Sequence, residues 1–521
     1  MPTAPGTFQL YQGPPMRGGI DVRLPHVRQF PDSPLDVLNC VPHVGGYAFG
    51  PGWARLGNVI DAVANGRVNH LTGFAVSGET TYTVAVCGLR FLELVSGTWT
   101  SRQNGTNFSM GANDHADTAF WIPTDRLLVF APLTGAANAP RQWTGSGNIS
   151  TVGASIRNAR WGELFGNRIL LGGTWDSDGT YRPTRVYRSS DGSITATFPA
   201  EFTDFTQSSW PVMNVKRLGQ MLIVYKQYTI GVLQINSGEN LDLEPFLPDE
   251  VPANIGLALP EALVSGGRGH FFLGNENIYL LQGLHEPIPV GSPIMQLLHG
   301  DRFAAGSFAL AGYDVGFPER ESHFLLTNVG TGANDATIGP NTTAVTYQMF
   351  MMDWDTKGWS RHELTTIPRA AGSYFTRYGY LDVAPVSRIA ALIGLDSGAA
   401  DSAAFEFDYS NAQRVGAAVT AEILSPIFHL GDPFVSKVVG DVWLGFKRKT
   451  TGNLTLTWYV AQDIGDIPGA GAGQSKAVTI AMDGTTGPRS VNLSGRIHQF
   501  KLTSTDLFDF DRVFFKYGIR N

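Results

Sequence analysis

An all-β fold is predicted from the sequence: a degenerate β-propeller of six to eight blades, joined to a β-sandwich-like platform built from the C-terminal region and an N-terminal arm. The first observation is a repeated strand–turn–strand phrase whose centres lie roughly 40–55 residues apart, the period of a four-stranded blade. The second is the punctuation of the chain by 61 glycines and 30 prolines. The third is that no segment shows a convincing long 3.6-residue periodicity, so helices should be few and short.

The clearest copy of the phrase spans Gly266–Ser292. In it the apolar run His270–Leu273 meets the turn Gly274–Asn277, and a second apolar run, Ile278–Leu281, follows. Glycine and asparagine tolerate the positive φ of tight turns, so the pattern predicts two antiparallel strands. The further copies are Val84–Leu94, Phe120–Phe130, Leu164–Leu171, Met221–Ile235 and, more loosely, Arg388–Tyr409.

Residues 1–68 are predicted to form an extended arm or clasp and not a blade. They are rich in glycine and proline with little alternation, and the strand candidate Ile20–Leu24 is followed by Pro25. Large apolar side chains indicate that the arm is bound to other surfaces. These side chains are Phe8, Leu10, Tyr11, Phe49 and Trp53.

Residues 69–410 are predicted to form the propeller. Ser189–Gly192 indicates a turn in which the aspartate side chain bonds its own downstream backbone, and a structural turn is favoured there over a sialidase-like Asp-box. The Gly/Asn/Thr-rich segment Val329–Val345 is long for a hairpin loop, so partner contact or disorder is expected in it. Another turn, Asp355–Gly358, is predicted before Trp359.

Residues 411–521 are predicted to form the β-sandwich-like platform domain, since several short segments alternate or are aromatic-rich. The Gly469–Gln474 stretch should be flexible between them. The predicted strands are Val415–Leu424, Val438–Phe446, Leu454–Val460, Val491–Leu493, His498–Leu502 and Arg512–Tyr517.

Composition and charge limit the classes of function that the chain could have. Charged residues make up only 16% of the 521-residue chain and aromatic residues 11%, which favours a protein that works within an assembly. The net charge is −7 and the pI about 5.9, whereas a sequence-specific DNA-binding protein would show a basic stripe. The one basic cluster, Phe446–Lys449, is expected at a solvated hairpin tip. Cys40 and Cys87 give no disulfide framework, and both are expected to be buried thiols.

No catalytic, cofactor-binding or metal-ligating residues are predicted, because no Gly-rich phosphate loop, nucleophile elbow or Cys/His metal spacing is found. Neither a signal peptide nor an apolar run near the ~20 residues of a membrane span is found, so no membrane span is expected. Carboxylates do occur close together in sequence, and acidic residues near turns are usually solvated. These groups are Asp506/Asp509/Asp511, Asp249/Glu250 and Glu319/Glu321.

The order of several phrases resembles that of the tail nozzle proteins of short-tailed bacteriophages, also called tail tubular protein B or, in related phages, packaged-DNA stabilisation proteins. The resemblance covers most of the chain and depends on order and spacing. Gly50–Trp53 stands where the commoner form has an Arg-Pro-Gly turn. The phrases are Gly18–Asp21, Gly45–Tyr47, Leu222–Leu233, Gly269–Gly283 and Phe428–Lys437.

This resemblance implies a non-enzymatic virion protein of the tail, without a cofactor. Six subunits would typically form a ring below the portal and adaptor, as the distal part of the DNA exit channel, with tail fibre or spike proteins as further partners. A conduit should not bind phosphates tightly, because each contact adds affinity through counterion release and slows passage. Low charge and many aromatic residues also suit large subunit interfaces.

Two other functions stay open at this point. A tail-associated enzyme that degrades polysaccharide requires paired carboxylates in one cleft, which are defined by distance in space. A receptor-binding propeller requires an exposed distal aromatic patch.

Overall fold

The structure, a computed structural model, describes part of the chain. The described residues are 9–12, 34–43, 46–50, 52–61, 68–76, 80–87, 90–103, 120–123, 126–130, 140–152, 159–165, 168–176, 178–190, 202–205, 209–235, 243–246, 255–258, 262–266, 269–283, 286–295, 308–313, 323–328, 348–353, 355–363, 374–384, 387–395, 401–408, 413–414, 417–448, 450–463, 473–485 and 487–519.

The elements that the structure describes are strands joined by turns, and Met295 at the end of the range 286–295 has helical geometry. The first five strands are β1 Gln9–Gln12, β2 Asp36–Leu38, β3 Cys40–His43, β4 Gly46–Phe49 and β5 Gly52–Asp61.

Seven four-stranded antiparallel units follow within the described residues, and we call them the first to seventh blades. The first blade contains β6 Val68–Val76, β7 Thr80–Cys87, β8 Arg90–Val95 and β9 Thr98–Ser101; the second contains β10 Phe120–Pro123, β11 Leu127–Phe130, β12 Arg141–Trp143 and β13 Ser150–Thr151; and the third contains β14 Trp161–Phe165, β15 Arg168–Trp175, β16 Tyr181–Arg188 and β17 Phe202–Asp204. The fourth contains β18 Val212–Leu218, β19 Met221–Lys226, β20 Ile230–Ile235 and β21 Leu243–Phe246, and the fifth contains β22 Leu263–Gly266, β23 Gly269–Leu273, β24 Ile278–Leu281 and β25 Ile288–Pro289. The sixth contains β26 Phe308–Tyr313, β27 His323–Asn328, β28 Gln348–Asp353 and β29 Trp359–Glu363, and the seventh contains β30 Tyr374–Ala384, β31 Ser387–Leu395 and β32 Asp401–Asp408 together with β5. The second to fifth are separate sheets, the sixth is part of a nine-stranded sheet, and the first and seventh are parts of one ten-stranded sheet in which β30 pairs with β6.

The blades are arranged as a propeller. Within each blade, strands that are neighbours in sequence pair antiparallel, so each blade is a meander. The first strands of successive blades lie against one another: β10 with β14, β14 with β18, β18 with β22, β22 with β26, β26 with β30, and β30 with β6. Sheets that fan around an axis along their first strands are β-propeller blades. The predicted fold class is therefore confirmed.

The seventh blade is completed by a strand from early in the chain. β5 pairs antiparallel with β32, from Gly52↔Asp408 to Asp61↔Asp401. This pairing joins the two ends of the propeller sequence and closes the ring of blades. It also crosses the predicted boundary between arm and propeller at residue 68, because β5 lies before that boundary.

Two short strands, β33 Gln413–Arg414 and β34 Ala417–Ala418, extend the sheet of the seventh blade, since β33 pairs with β5. The remaining strands form the platform, and they are β35 Ala421–Leu424, β36 Lys437–Arg448, β37 Asn453–Ala461, β38 Gln474–Ala481, β39 Arg489–Gly495, β40 Ile497–Ser504 and β41 Asp509–Ile519. One sheet has the order β3-β4-β41-β36-β39, with β1 also on β41, and the other contains β2-β35-β40-β37-β38. The N-terminal strands and the C-terminal region thus form the sandwich together, as predicted.

Alternation explains why the two platform sheets face each other. In β37 the residues Leu454, Leu456 and Trp458 are fully buried, while the intervening threonines are half-buried. Their partners across the core include Phe510 and Phe515 of β41. A strand with a period of two buries one face only, so two such sheets cover each other.

All six predicted copies of the strand–turn–strand phrase are antiparallel hairpins: β7–β8, β10–β11, β14–β15, β19–β20, β23–β24 and β31–β32. Two details of the prediction are wrong. The strand expected over Val415–Leu424 is divided into β34 and β35, because Val419 and Thr420 pair in neither strand. Phe446–Arg448 lies within β36 and not at a hairpin tip.

Several predicted segments lie outside the described residues: Ile20–Leu24, Asp191 and Gly192 of the Ser189–Gly192 turn, Val329–Val345 and most of Gly469–Gln474. The turn before Trp359 is confirmed. Asp353 Oδ2 accepts hydrogen bonds from the backbone N–H and hydroxyl of Thr356, at 2.9 and 2.8 Å, and Lys357 has a φ of 56°.

Candidate assembly surfaces

The densest cluster of charged and aromatic side chains that we find in the described residues lies on β15, β16 and β17 of the third blade. The local fold brings these residues together through a register shift between Gly172 and Thr174, which bends the β15–β16 hairpin. We call this set the third-blade cluster. It consists of Arg160, Trp175, Asp176, Tyr181, Arg182, Arg185, Tyr187, Phe202 and Asp204.

Arg185 is the centre of the third-blade cluster. Its Nε and Nη2 atoms donate to the two carboxylate oxygens of Asp204, directly opposite on β17, at 2.8 and 2.9 Å. Its guanidinium lies 3.4 Å from the ring centroid of Phe202. The hydrogen bonds to Asp204 raise the pKa of Arg185 above its ordinary value. A bidentate pair that is also stacked fixes both partners in one geometry.

Asp176 joins two more members of the cluster. One carboxylate oxygen accepts from Arg182 Nε at 2.8 Å, and the other accepts from the hydroxyl of Tyr187. Burial, followed by the hydrogen bond to Asp176, raises the pKa of Tyr187. Because the hydroxyl stays protonated, it acts as a donor in this arrangement.

Phe202 brings the cluster to the surface, whereas Trp175 and Tyr187 are buried. Arg160 lies over Trp175 and Tyr181, at 5.5 and 5.1 Å from their ring centroids, and Phe202 is 41% exposed. Arginine, tyrosine and tryptophan are the side chains that dominate protein–protein hot spots. Since Arg182 and Arg185 already bind carboxylates of their own chain, the cluster has the character of a rigid contact surface.

A second exposed surface is the turn that carries Phe434, between β35 and β36. Phe434 is 80% exposed, and its backbone N–H donates to Asp432 Oδ1 at 2.9 Å. Lys437 is buried beneath the turn and donates to the backbone carbonyl of Asp432. Burial lowers the pKa of Lys437. The turn therefore holds an exposed aromatic ring on a fixed backbone.

The junction between the sixth blade and the platform contains buried polar groups. β29 pairs in parallel with β2 at Arg361↔Leu38, and Arg361 Nη2 donates to Asp36 Oδ2 at 2.6 Å. Asn39 donates from its backbone N–H to Arg361 O at 2.7 Å and from its side chain to Thr420 O at 2.8 Å. These bonds link the propeller strand β29 to β2, and they link the residue after β2 to the residue before β35 in the platform.

A serine–histidine pair at this junction has a structural role. Ser360 Oγ lies 3.1 Å from His362 Nε2 and 3.3 Å from Met351 O, and both side chains are fully buried. Because the serine hydroxyl donates to the carbonyl, His362 acts as the donor to Ser360 Oγ. A catalytic base would instead accept the serine proton.

The sequence predicted no site residues, and the three carboxylates of the Asp506/Asp509/Asp511 group each bind a different partner in the structure. Asp506 accepts from the backbone N–H of Asn453 at 2.9 Å, Asp509 contacts His43 at 2.9 Å, and Asp511 binds Arg512 at 2.8 Å. The other two groups lie outside the described residues. Among the residues that are described, no group of three or more His, Cys, Asp or Glu side chains could hold a metal ion. The described part of the chain also has no helix long and apolar enough to cross a membrane.

Sequence reasoning missed the third-blade cluster. Its signal was available in β16, whose sequence YRPTRVYR contains three arginines and two tyrosines in eight residues. Such a composition is unusual for a strand that only fills a core, because arginine is rarely buried unless paired.

No family model and no curated protein matches the chain. Among solved structures it is similar to the Pan2 WD40 domain of Neurospora crassa, with a TM-score of 0.39 and 10% identity, over 68% of this chain and 95% of that one. It is also similar to the AfRom2 CNH domain, with a TM-score of 0.39 and 10% identity, over 69% of this chain and 100% of that one. For PorZ, a surface component of the type-IX secretion system of Porphyromonas gingivalis, the values are 0.35 and 10%, over 75% of this chain and 44% of that one. The assignment of the propeller depends on the strand pairing described above.

Proposed function

We propose that this chain is a structural virion protein of a short phage tail. Copies of it, typically six, form the distal ring or nozzle below the portal and adaptor, and double-stranded DNA is retained behind this ring and ejected through it. The protein acts as a conduit and not as an enzyme, and tail fibre or spike proteins are further partners. The order of sequence phrases described above suggests this function.

The observation that carries the proposal is the continuous nine-stranded sheet that joins the sixth blade to the platform. Its order is β26-β27-β28-β29-β2-β35-β40-β37-β38, so a propeller blade and one layer of the sandwich are a single sheet. A ring that withstands the pressure of a packaged genome needs subunits that do not bend between their parts. Backbone pairing across the junction supplies that stiffness.

Charge pairing also supports a conduit. Many cationic side chains of the described residues bind a carboxylate of the same chain, so they are less available to phosphates. The pairs are Arg102–Glu93, Arg182–Asp176, Arg185–Asp204, Lys216–Glu163, Arg361–Asp36, Lys501–Glu422 and Arg512–Asp511. Each phosphate contact that is avoided removes one counterion-release contribution to affinity. DNA should therefore slide past such a surface without being held.

Exposed aromatic residues provide surfaces for assembly. The third-blade cluster and the turn that carries Phe434 lie on the propeller and on the platform, respectively. Interfaces of obligate oligomers are enriched in aromatic residues and arginine. In a ring such contacts are head-to-tail and must close after a fixed number of subunits.

The experiment is to purify the full-length protein and measure its mass by light scattering and its shape by negative-stain imaging. We expect closed rings with a central channel, which attach to a portal–adaptor complex. Persistent monomers that do not attach would overturn the proposal. Release of reducing sugar from host polysaccharide would assign the chain to the enzymatic alternative, and binding of the isolated protein to host cells would assign it to the receptor-binding alternative.

A further inference from the structure

Strand β1 pairs with the platform through its backbone. It pairs antiparallel with β41 in the register Gln9↔Tyr517, Leu10↔Lys516, Tyr11↔Phe515 and Gln12↔Phe514. In the described part of the chain β41 is its only strand partner. The Leu10 side chain is 64% exposed, so it contributes little packing to its own chain. Main-chain hydrogen bonds of this kind form equally well with any copy of the same acceptor strand.

The edge of β41 needs a partner. β4 pairs with β41 only at Phe510 and Asp509, and β36 occupies the opposite edge. β1 therefore covers the part of the edge at residues 514–517 that β4 does not reach. An uncovered edge of this length would be a site for aggregation, and β1 is the strand that covers it in the structure.

The sequence between β1 and β2 sets how far β1 can lie from its own platform. Residues 13–35 separate the two strands, which is a span of 23 residues. At most ~3.3–3.6 Å per residue, this span could bridge roughly 80 Å. The cost of closing a loop rises slowly with its length, so a connection this long gives only a small preference for the chain's own β41.

We propose that, in the assembled ring, β1 of each copy pairs with β41 of a neighbouring copy. Each subunit then donates one strand and accepts one, which is a head-to-tail contact that a closed ring satisfies completely. Leu10 lies in the seam between two subunits, where the neighbouring body covers it. The inference rests on the proposed ring, and it names the segment that links its subunits.

The test uses cysteines at two opposite, exposed positions. Leu10 and Lys516 face each other in the ladder and both are exposed, so Leu10→Cys and Lys516→Cys bring two thiols to disulfide distance. Leu10→Cys carried on one tagged copy and Lys516→Cys on a second, differently tagged copy are co-expressed, purified through both tags and oxidised. Only pairing between copies can link these two single variants. The native Cys40 is buried, and the wild-type protein gives the background.

The expected result is a covalent dimer on a non-reducing gel, roughly tenfold above the control, because pairing holds the thiols at a high effective concentration. The matched control combines Leu10→Cys with Lys476→Cys, an exposed position on β38. The double variant Leu10→Cys/Lys516→Cys in a single chain should give a ladder of covalent multimers.

Three results would overturn the exchange. They are a disulfide confined to single chains in the double variant, no dimer from the mixed single variants, and no disulfide in any arrangement. The proposed function is judged separately, from the mass and shape of the wild-type protein. Rings that contain only intrachain disulfides would refute the strand exchange but not the proposed function. Monomers would refute both the strand exchange and the proposed function.

Discussion

Two buried histidines have the same bonding pattern, one in the propeller and one in the platform. His270 donates from Nε2 to Arg217 O at 2.8 Å and accepts at Nδ1 from the Tyr225 hydroxyl at 2.9 Å. His498 donates to Gly495 O at 3.1 Å and accepts from the indole N–H of Trp458 at 3.2 Å. In both cases the neutral ring satisfies one donor and one acceptor. A second ring proton on His498 would meet the indole N–H, which cannot accept it, and one on His270 would require the Tyr225 hydroxyl to change from donor to acceptor. Burial lowers the pKa of each to about 4.

Acid should therefore weaken the fold through these two residues. The unfolded chain binds a proton at each histidine near the ordinary pKa of 6.5, whereas the folded chain resists until the pH reaches about 4. The stability that each neutral histidine contributes is fully present above pH 6.5. It falls by up to about 3 kcal/mol as the pH drops from 6.5 to about 4, and it changes little below that pH. Urea unfolding of the wild type and of His270→Gln at pH 7, 5.5 and 4.5 measures this contribution. His270→Gln should be less stable at pH 7 and depend less on pH, and equal pH slopes would contradict the prediction.

Close approach of an aromatic ring explains why one glycine cannot be replaced. Trp161 and Gly172 are directly opposite in β14 and β15, and a Cβ on Gly172 would overlap the indole ring. Gly172→Ala should therefore destabilise the protein by several kcal/mol, about 2–4, because the buried Trp161 must move. Gly487→Ala is the matched control, since Gly487 is exposed and a Cβ added to it would have no neighbour within 4 Å. Chemical denaturation of both variants checks the difference, and an equal effect would show that the ring adapts freely.

At the scale of elements, tryptophan N–H groups tie neighbouring blades together. Trp161 of the third blade donates to Val212 O of the fourth at 3.2 Å, and Trp359 of the sixth donates to Val290 O, just after the fifth, at 2.9 Å. Trp99 of the first blade donates to Leu56 O of β5 at 3.2 Å, which is part of the seventh. Each bond adds a directed contact between two neighbouring parts of the propeller.

Removing one such N–H donor should lower the free energy of unfolding by more than the small change in side-chain volume suggests. Trp359→Phe keeps an aromatic ring at a fully buried site and leaves Val290 O without this donor, so we expect a loss of about 1–3 kcal/mol. Trp210→Phe is the control, because Trp210 is 43% exposed and should change stability by roughly 0.5 kcal/mol or less. Thermal unfolding of the two variants measures both values. Similar losses would mean that ring size and not the hydrogen bond matters.

The sequence predicts what is local and misses what is distant. The hairpins such as β23–β24 are evident because Gly274 and Asn277 punctuate two apolar runs within a dozen residues. The pairing of β5 with β32 is not evident, because Trp53 and its partner Phe407 are separated by most of the propeller. The third-blade cluster was missed for the same reason, since the distance between Arg185 and Asp204 depends on how β17 returns to β16.

At the scale of the whole molecule, the junction at β2 decides whether the chain behaves as one body. β2 pairs with β29 of the sixth blade on one side and with β35 of the platform on the other. The main chain thus carries hydrogen bonds from blade to sandwich, through the pair Leu38↔Arg361 and the bond from the Asn39 N–H to Arg361 O. In the proposed ring, a subunit of this kind would transmit force from the platform to the propeller. Sheet continuity is therefore the link between the fold and the proposed conduit.

This continuity predicts that propeller and platform unfold together, and Asn39 is the residue at which to test it. Asn39 has a φ of 56° and bonds through its side chain to Thr420 O at 2.8 Å. Asn39→Gly loses that bond but tolerates the positive φ, so it should lower the free energy of unfolding by about 1 kcal/mol. Asn39→Ala also strains the backbone at this φ and should lower it by about 2–3 kcal/mol.

Hydrogen exchange in increasing denaturant, read by mass spectrometry, follows β28 and β29 separately from β37 and β40. In the wild type and in Asn39→Gly both pairs of strands should lose protection at the same denaturant concentration, because the junction holds. In Asn39→Ala the two pairs of strands should lose protection at different denaturant concentrations, since the weakened junction no longer couples them. Two separate transitions in the wild type would show that the shared sheet does not make one mechanical unit, and the argument for a stiff ring subunit would then lose its basis.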